Sequence, residues 1–100
     1  MIIITQFHKL ENSWGEFCAG LWEKEEPDDE GFKISGFFYG TIGKNDIRGG
    51  YKYCKQANHY DGVDFTPDKF KAVLNPNGLQ ADVIYYDSKT GIEAKETARL

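Results

Sequence analysis

The sequence predicts an α+β fold, in which a small antiparallel sheet carries two helices on one of its faces. The predicted order is β-α-β-β-α-β-β, which is the ferredoxin-like arrangement with one strand appended. Two helical signals, over 14–22 and from 66 to 75, and several short apolar runs predict this order. One hundred residues fit a single domain spanning 1–100, without repeats or linkers.

The first two predicted elements are a strand and a helix. The apolar, β-branched run from 2 to 7 is typical of a buried strand. Ser13 and Glu16 then form a capping box. Five apolar residues follow with the period of one helix face: Trp14, Phe17, Cys18, Leu21 and Trp22. The pattern predicts that both tryptophan rings pack against the sheet.

A strand is the rival interpretation of residues 14–25. Phe17, Ala19 and Leu21 alternate, as the residues on one face of a strand do. The two glycines of this segment also disfavour a helix, by about 1 kcal/mol each relative to alanine.

The middle of the chain predicts a β-hairpin. Residues 32–42 and 49–56 are strand-like, and the polar residues 43–48 form the turn between them. Glycines at 36 and 40 weaken or bulge the first of these strands.

The last third predicts a helix and a second hairpin. Thr66 begins a helix, because a capping hydroxyl, a proline and an acidic residue follow one another there. The strands of the hairpin span 79–86 and 92–98. An alternative fold is a mostly-β meander that keeps a single helix at 66–75.

Charge is segregated along a chain whose net charge is −4. Residues 1–31 hold two lysines against eight acids, whereas 32–60 hold five basic residues and one acid. A net acidic chain disfavours nucleic acid as a partner, because phosphate contacts supply most of that affinity. The apolar run at the N-terminus is too short for a signal peptide or a membrane span, and we expect a cytoplasmic protein with no membrane partner.

An aromatic and basic surface is predicted on the open face of the sheet. Aromatic residues form 15% of the chain, more than a small core hides easily. Strand parity turns Phe38 toward the helices, and the usual burial of free cysteine turns Cys54 the same way. The predicted binding residues are Phe37, Tyr39, Arg48, Tyr51, Tyr53 and Lys55. Cross-strand packing of the same rings is the rival interpretation.

A second candidate surface is the acidic segment that surrounds Pro27. Its residues are Glu23, Glu25, Glu26, Asp28, Asp29 and Glu30. The spacing of a calcium loop is absent. The segment is therefore interpreted as a solvated loop or as a docking site for a basic partner.

No catalytic or metal-binding motif stands out, and we expect a protein that is not an enzyme and needs no cofactor. His8, Cys18, Cys54 and His59 are the residue types that bind zinc, but they lack the short spacing of structural zinc sites. Cys54 and His59 are also the residues that a small enzyme would use as nucleophile and base.

The expected function is that of a protein-binding module, an inhibitor or adaptor, for example of the kind made by mobile elements. That example rests on size and charge alone. The first alternative is binding of single-stranded RNA or DNA. The segment Gly36–Gly40 loosely resembles the aromatic strand of the RNA-recognition-motif family, without its basic-glycine-aromatic order. The second alternative is a small enzyme that uses Cys54 and His59.

Overall fold

The computed structural model of the chain describes residues 1–55, 68–87 and 90–100, without the side chains of residues 53–55, 68 and 87. All regular secondary structure in these ranges is β-strand, and no helix there is long and apolar enough to cross a membrane. The strands are β1 (Ile2–Asn12), β2 (Gly15–Lys24), β3 (Ile34–Ile42), β4 (Asp46–Lys55), β5 (Asp68–Leu74), β6 (Gln80–Asp87) and β7 (Ile92–Arg99).

The seven strands form a closed barrel. Each strand pairs antiparallel with the next along the chain, and β1 pairs parallel with β7. This parallel seam joins Ile2 to Ala98 and Ile3 to Arg99. Closure gives the first and last strands hydrogen-bonded neighbours that they would lack in an open sheet. The β1–β2 hairpin continues beyond the seam to Asn12, and the molecule measures 41 × 27 × 25 Å.

The predicted ferredoxin-like α+β fold is therefore wrong, and so is the helix over 14–22. Nearly all of that segment belongs to β2, which turns Cys18 and Trp22 into the barrel and Phe17 and Leu21 outward. Because both faces of this strand carry large apolar side chains, its apolar positions also match the spacing of a helix face. The alternation that supported the rival interpretation was the better signal.

Trp14 is not a core residue. It lies in the turn between β1 and β2 with 86% of its surface exposed, and its backbone N–H donates to Asn12 Oδ1 at 2.8 Å. The prediction that both tryptophan rings are buried thus holds for Trp22 alone, which is 8% exposed.

The second predicted helix is also replaced by a strand. Its described part is β5, in which Phe70 and Ala72 face the interior and alternate with Lys69 and Lys71. The alternative meander fold with a helix at 66–75 is wrong for the same reason. The signal for a helix start came from three neighbouring residues only. The alternation of apolar and charged residues along β5 is the pattern of a strand with one face toward the barrel interior.

The core consists of side chains that point into the barrel. The buried apolar residues are Ile2, Cys18, Trp22, Phe38, Ile47, Tyr51, Ala72, Val83 and Ala98. Rings in and around this core meet edge to face: the ring centroids of Trp22 and Tyr51 lie 6.3 Å apart, and those of Phe38 and the partly buried Phe70 lie 6.1 Å apart. Such pairs stabilise a core beyond the area that they bury. None of the described side chains is completely buried, which indicates unfilled space in the barrel.

Candidate functional site

The barrel contains a partly open cavity of about 430 Å³. All seven strands contribute to its wall, because alternate residues of each strand point inward. Large rings on one side, such as Trp22 and Phe38, face small side chains on the other, namely Ala72, Ala81 and Ala98. This contrast in side-chain size leaves the space open.

The size and lining of the cavity match those of ligand sites. Protein pockets for small molecules have volumes of roughly 300–1,000 Å³ and mostly apolar walls with a few polar groups. An engineered apolar cavity of about 150 Å³ is already large enough to take up benzene. The cavity in this barrel is therefore large enough for a small organic molecule.

A cluster of Lys24, Tyr85 and Glu96 forms one polar part of the site, and Gln80 and Arg99 also line the cavity. The Lys24 Nζ donates hydrogen bonds to Glu96 Oε2 and, at 3.3 Å, to the Tyr85 hydroxyl. The Tyr85 hydroxyl in turn donates to Glu96 Oε2 at 2.6 Å. The three strands β2, β6 and β7 that carry these side chains are thereby joined across the barrel.

The cluster favours a charged lysine and a charged glutamate. Burial disfavours the charge on Lys24, but the hydrogen bonds and charges of Glu96 and Tyr85 outweigh it and raise the pKa of this lysine. Burial likewise opposes the charge on Glu96, but the bonds from Lys24 and Tyr85 lower the pKa of this carboxyl. Burial and the bond to Glu96 raise the pKa of Tyr85. The pair remains ionised and the phenol neutral around neutral pH.

Other polar atoms in the wall are engaged with the backbone. The Trp22 indole Nε1 donates to the carbonyl oxygen of Phe37 at 3.2 Å. The Tyr51 hydroxyl donates to the carbonyl oxygen of Tyr86, also at 3.2 Å. These bonds orient two rings of the wall and satisfy their donors.

The predicted aromatic surface is only partly formed. Phe37 and Tyr39 do point outward from β3, and they are 37% and 44% exposed. The register places Phe37 beside Leu21 of β2, which is 42% exposed, and Arg48 beside Lys71 of β5. An apolar strip on β2 and β3 thus borders a basic strip on β4 and β5.

The outward position predicted for Tyr51 is wrong. Tyr51 pairs with Phe38 across β3 and β4, so both rings point into the barrel. The prediction set the orientation of Tyr51 from an assumed inward Cys54, whose side chain lies outside the described part of the chain. Tyr53 and Lys55 belong to β4, but their side chains lie outside the described part of the chain.

Within the acidic segment, Asp28 organises the loop. Its Oδ1 accepts hydrogen bonds from the backbone N–H groups of Glu30 and Phe32, at 3.0 and 2.8 Å. Glu23 lies in β2 and forms an ion pair with Lys33 at 2.9 Å. The exposed residues of the segment are Glu25, Glu26, Asp29 and Glu30.

The zinc-type residues are not brought together in the described structure. His8 is exposed on β1, whereas Cys18 is buried inside the barrel, where burial raises the pKa of its thiol. His59 and the side chain of Cys54 lie outside the described residues, and so does the proposed catalytic pair. Across residues 1–55, 68–87 and 90–100, no three or more His, Cys, Asp or Glu side chains form a metal-binding group.

Sequence reasoning missed the polar cluster. Tyr85 and Glu96 lie on the neighbouring strands β6 and β7, but Lys24 is far from both along the chain, and barrel closure brings it to them. One signal was present: Lys24 is in phase with Cys18 and Trp22, so interpreting this segment as a strand would have turned all three inward. Comparison with protein families, with characterised proteins and with solved structures finds no match to this chain, so the geometry of the site is the basis for a functional proposal.

Proposed function

We propose that the protein binds a small, mostly apolar molecule inside its barrel. The observation that carries the proposal is the apolar cavity of about 430 Å³. Water in such a space finds few hydrogen-bond partners on the walls, so an apolar ligand that displaces it gains free energy. Closed barrels with side-chain-lined interiors are suited to holding one small ligand.

The expected affinity is modest. A ligand that buries about 200 Å² of apolar surface gains about 5 kcal/mol, which corresponds to a Kd of about 0.2 mM. Hydrogen bonds to the polar cluster would add to this. Binding should therefore be measured at millimolar concentrations of a small probe.

The two tryptophans make binding directly observable. Trp22 lines the cavity, whereas Trp14 is exposed in the β1–β2 turn. On titration with ethylbenzene or acetophenone, we expect the Trp22 indole N–H resonance in a ¹H–¹⁵N NMR spectrum to shift and saturate. The Trp14 indole resonance should stay in place, and it serves as the internal control.

A matched pair of variants locates the binding. Ala81→Leu adds bulk to the cavity wall and should weaken probe binding, whereas Ala19→Leu adds the same bulk to the exposed side of β2 and should not. If neither probe shifts the Trp22 resonance, or if both variants bind like the original protein, the barrel is not a ligand site.

A second candidate function is docking of another protein on the outer face of β2–β4. The observation that favours it is the pairing of exposed Leu21 with exposed Phe37, next to exposed Tyr39. Arg48 lies at the edge of this patch, where it pairs with Thr41 and its Nε forms an ion pair with Asp46 at 2.9 Å. Aromatic residues and arginine dominate interface hot spots. An inhibitor or adaptor role would use this surface.

We expect the double variant Phe37→Ala/Tyr39→Ala to lose about 2 kcal/mol or more of affinity for such a partner while remaining folded. Affinity is measured by titration calorimetry with the partner recovered from the native host. Trp14→Ala removes an exposed ring elsewhere and is the control. Unchanged affinity in the double variant would assign these rings to sheet packing, and a steep loss of binding with salt would indicate single-stranded nucleic acid instead.

A further inference from the structure

We propose that the ligand of the barrel is an uncharged apolar molecule with one hydrogen-bond-accepting oxygen, such as a ketone, and that Lys24 binds this oxygen. This inference rests on the proposed function and specifies its ligand. It follows from the arrangement of Lys24, Tyr85 and Glu96 at the cavity wall.

Lys24 presents a donor to the cavity. An ammonium group has three N–H donors and no acceptor. The bonds to Glu96 and Tyr85 engage two of these donors. Lys24 and Tyr85 line the cavity, while Glu96 stands behind them and is not part of the lining. The remaining donor of Lys24 is therefore suited to an oxygen acceptor on a ligand.

The charge of the cluster selects against ionic ligands. The Glu96 carboxylate already forms ion pairs with both nearby cations, the Lys24 ammonium and, at 3.8 Å, the N-terminal amino group of Met1. A ligand carboxylate bound to Lys24 would come close to Glu96, and like charges at short distance in a partly buried site repel. A ligand ammonium would be repelled by the ammonium group of Lys24. A neutral oxygen takes the available hydrogen bond without either repulsion.

Tyr85 holds the donor in place. Its hydroxyl donates to Glu96 at 2.6 Å and accepts from Lys24 at 3.3 Å, and the Lys24 Nζ lies 5.4 Å from the centre of its ring. The lysine is thus fixed from two sides. A donor that is already ordered loses little side-chain freedom when a ligand binds.

The position of the cluster also orients the ligand. Lys24 is the last residue of β2 and Tyr85 lies near the end of β6, so both are at one end of the barrel. Apolar Leu74, Leu79 and Leu100 line the cavity at the opposite strand ends, together with the paired residues Gln80 and Arg99. The ligand oxygen would point toward Lys24 and the apolar body toward the three leucines.

Four probes of similar size test the inference: ethylbenzene, acetophenone, benzoate and benzylammonium. Their affinities are measured from the shift of the Trp22 indole N–H resonance. A hydrogen bond to a charged donor should make acetophenone bind about tenfold more tightly than ethylbenzene. Both ionic probes should bind more weakly than acetophenone.

The double variant Lys24→Met/Glu96→Gln removes the Lys24 donor together with the carboxylate that would otherwise lose this partner. It should bind ethylbenzene as the original protein does and lose the preference for acetophenone. Equal binding of all four probes, or a preference that survives in the double variant, overturns the inference while cavity binding stands. Failure of every probe to bind overturns the proposed function itself. If the double variant does not fold, the probe series on the original protein still decides.

Discussion

Replacing Trp22 by alanine is expected to lower the free energy of unfolding by about 3–5 kcal/mol. The Trp22 ring is 8% exposed, packs edge to face on Tyr51 and donates to the Phe37 carbonyl oxygen at 3.2 Å. Truncation removes all of these interactions. The ring borders an existing cavity, so the neighbouring side chains cannot move in to fill the space that the truncation leaves. The cavity therefore becomes larger, which adds to the cost.

Trp14→Ala is the matched control for this measurement. The Trp14 ring is 86% exposed, and a substitution there should change the free energy of unfolding by no more than about 0.5 kcal/mol. Urea unfolding curves of the two variants measure the difference in free energy of unfolding, provided that the dependence of this free energy on urea concentration is the same in both. A cost below about 1 kcal/mol for Trp22→Ala would contradict the inward orientation of this ring.

Replacing Gly49 by alanine is expected to cost about 3 kcal/mol, and it tests the close approach of β3 and β4. Gly49 pairs with Gly40 across these strands. A Cβ atom at Gly49 would collide with the carbonyl oxygen of Tyr39 and would lie 2.5 Å from the Cα of Gly40. Both atoms are backbone, so relief requires moving one strand away from the other. Glycine pairs of this kind are typical of sharply bent barrel walls.

Gly78→Ala is the control that distinguishes the collision expected at Gly49 from the cost of placing alanine at a positive φ. Gly78 has a φ of +72°, and an added Cβ would meet nothing within 4 Å. Its cost should be the strain of a left-handed alanine alone, about 1–2 kcal/mol. Thermal and urea unfolding of both variants measure the comparison. If Gly49→Ala is no more destabilising than Gly78→Ala, the backbones of β3 and β4 do not approach each other as closely as Gly40 and Gly49 indicate.

Five of the seven strands were predictable from local pattern. The runs near 2–7, 32–42, 49–56, 79–86 and 92–98 are confirmed as strands β1, β3, β4, β6 and β7. Short β-branched or alternating runs between turn residues carry this signal within a few positions of the chain. The outward placement of Phe37 and Tyr39 was also predicted correctly, since parity within one strand is a local property.

The strands β2 and β5 were mistaken for helices because local signals there favour both structures. Capping residues and apolar spacing carry no information about which strands lie next to a segment in the folded protein. In the barrel, β2 has hydrogen-bonded neighbours on both edges, β1 and β3, and this pairing outweighs local preference. Tyr51 was misplaced for a different reason: its orientation was set from Cys54, whereas in the structure it follows from the pairing of Tyr51 with inward Phe38.

The sequence alone determined where most strands lie, how charge is distributed along the chain, and that Phe37 and Tyr39 of β3 are exposed while Phe38 is buried. Each of these properties depends on residues that are close together in the chain. Tertiary structure decided closure of the barrel, the cavity and the meeting of Lys24 with Tyr85 and Glu96. Lys24 lies 61 residues from Tyr85 and 72 from Glu96, so no local pattern could bring them together. The β1–β7 seam closes the ring of strands, and the proposed ligand site exists only within that closed ring.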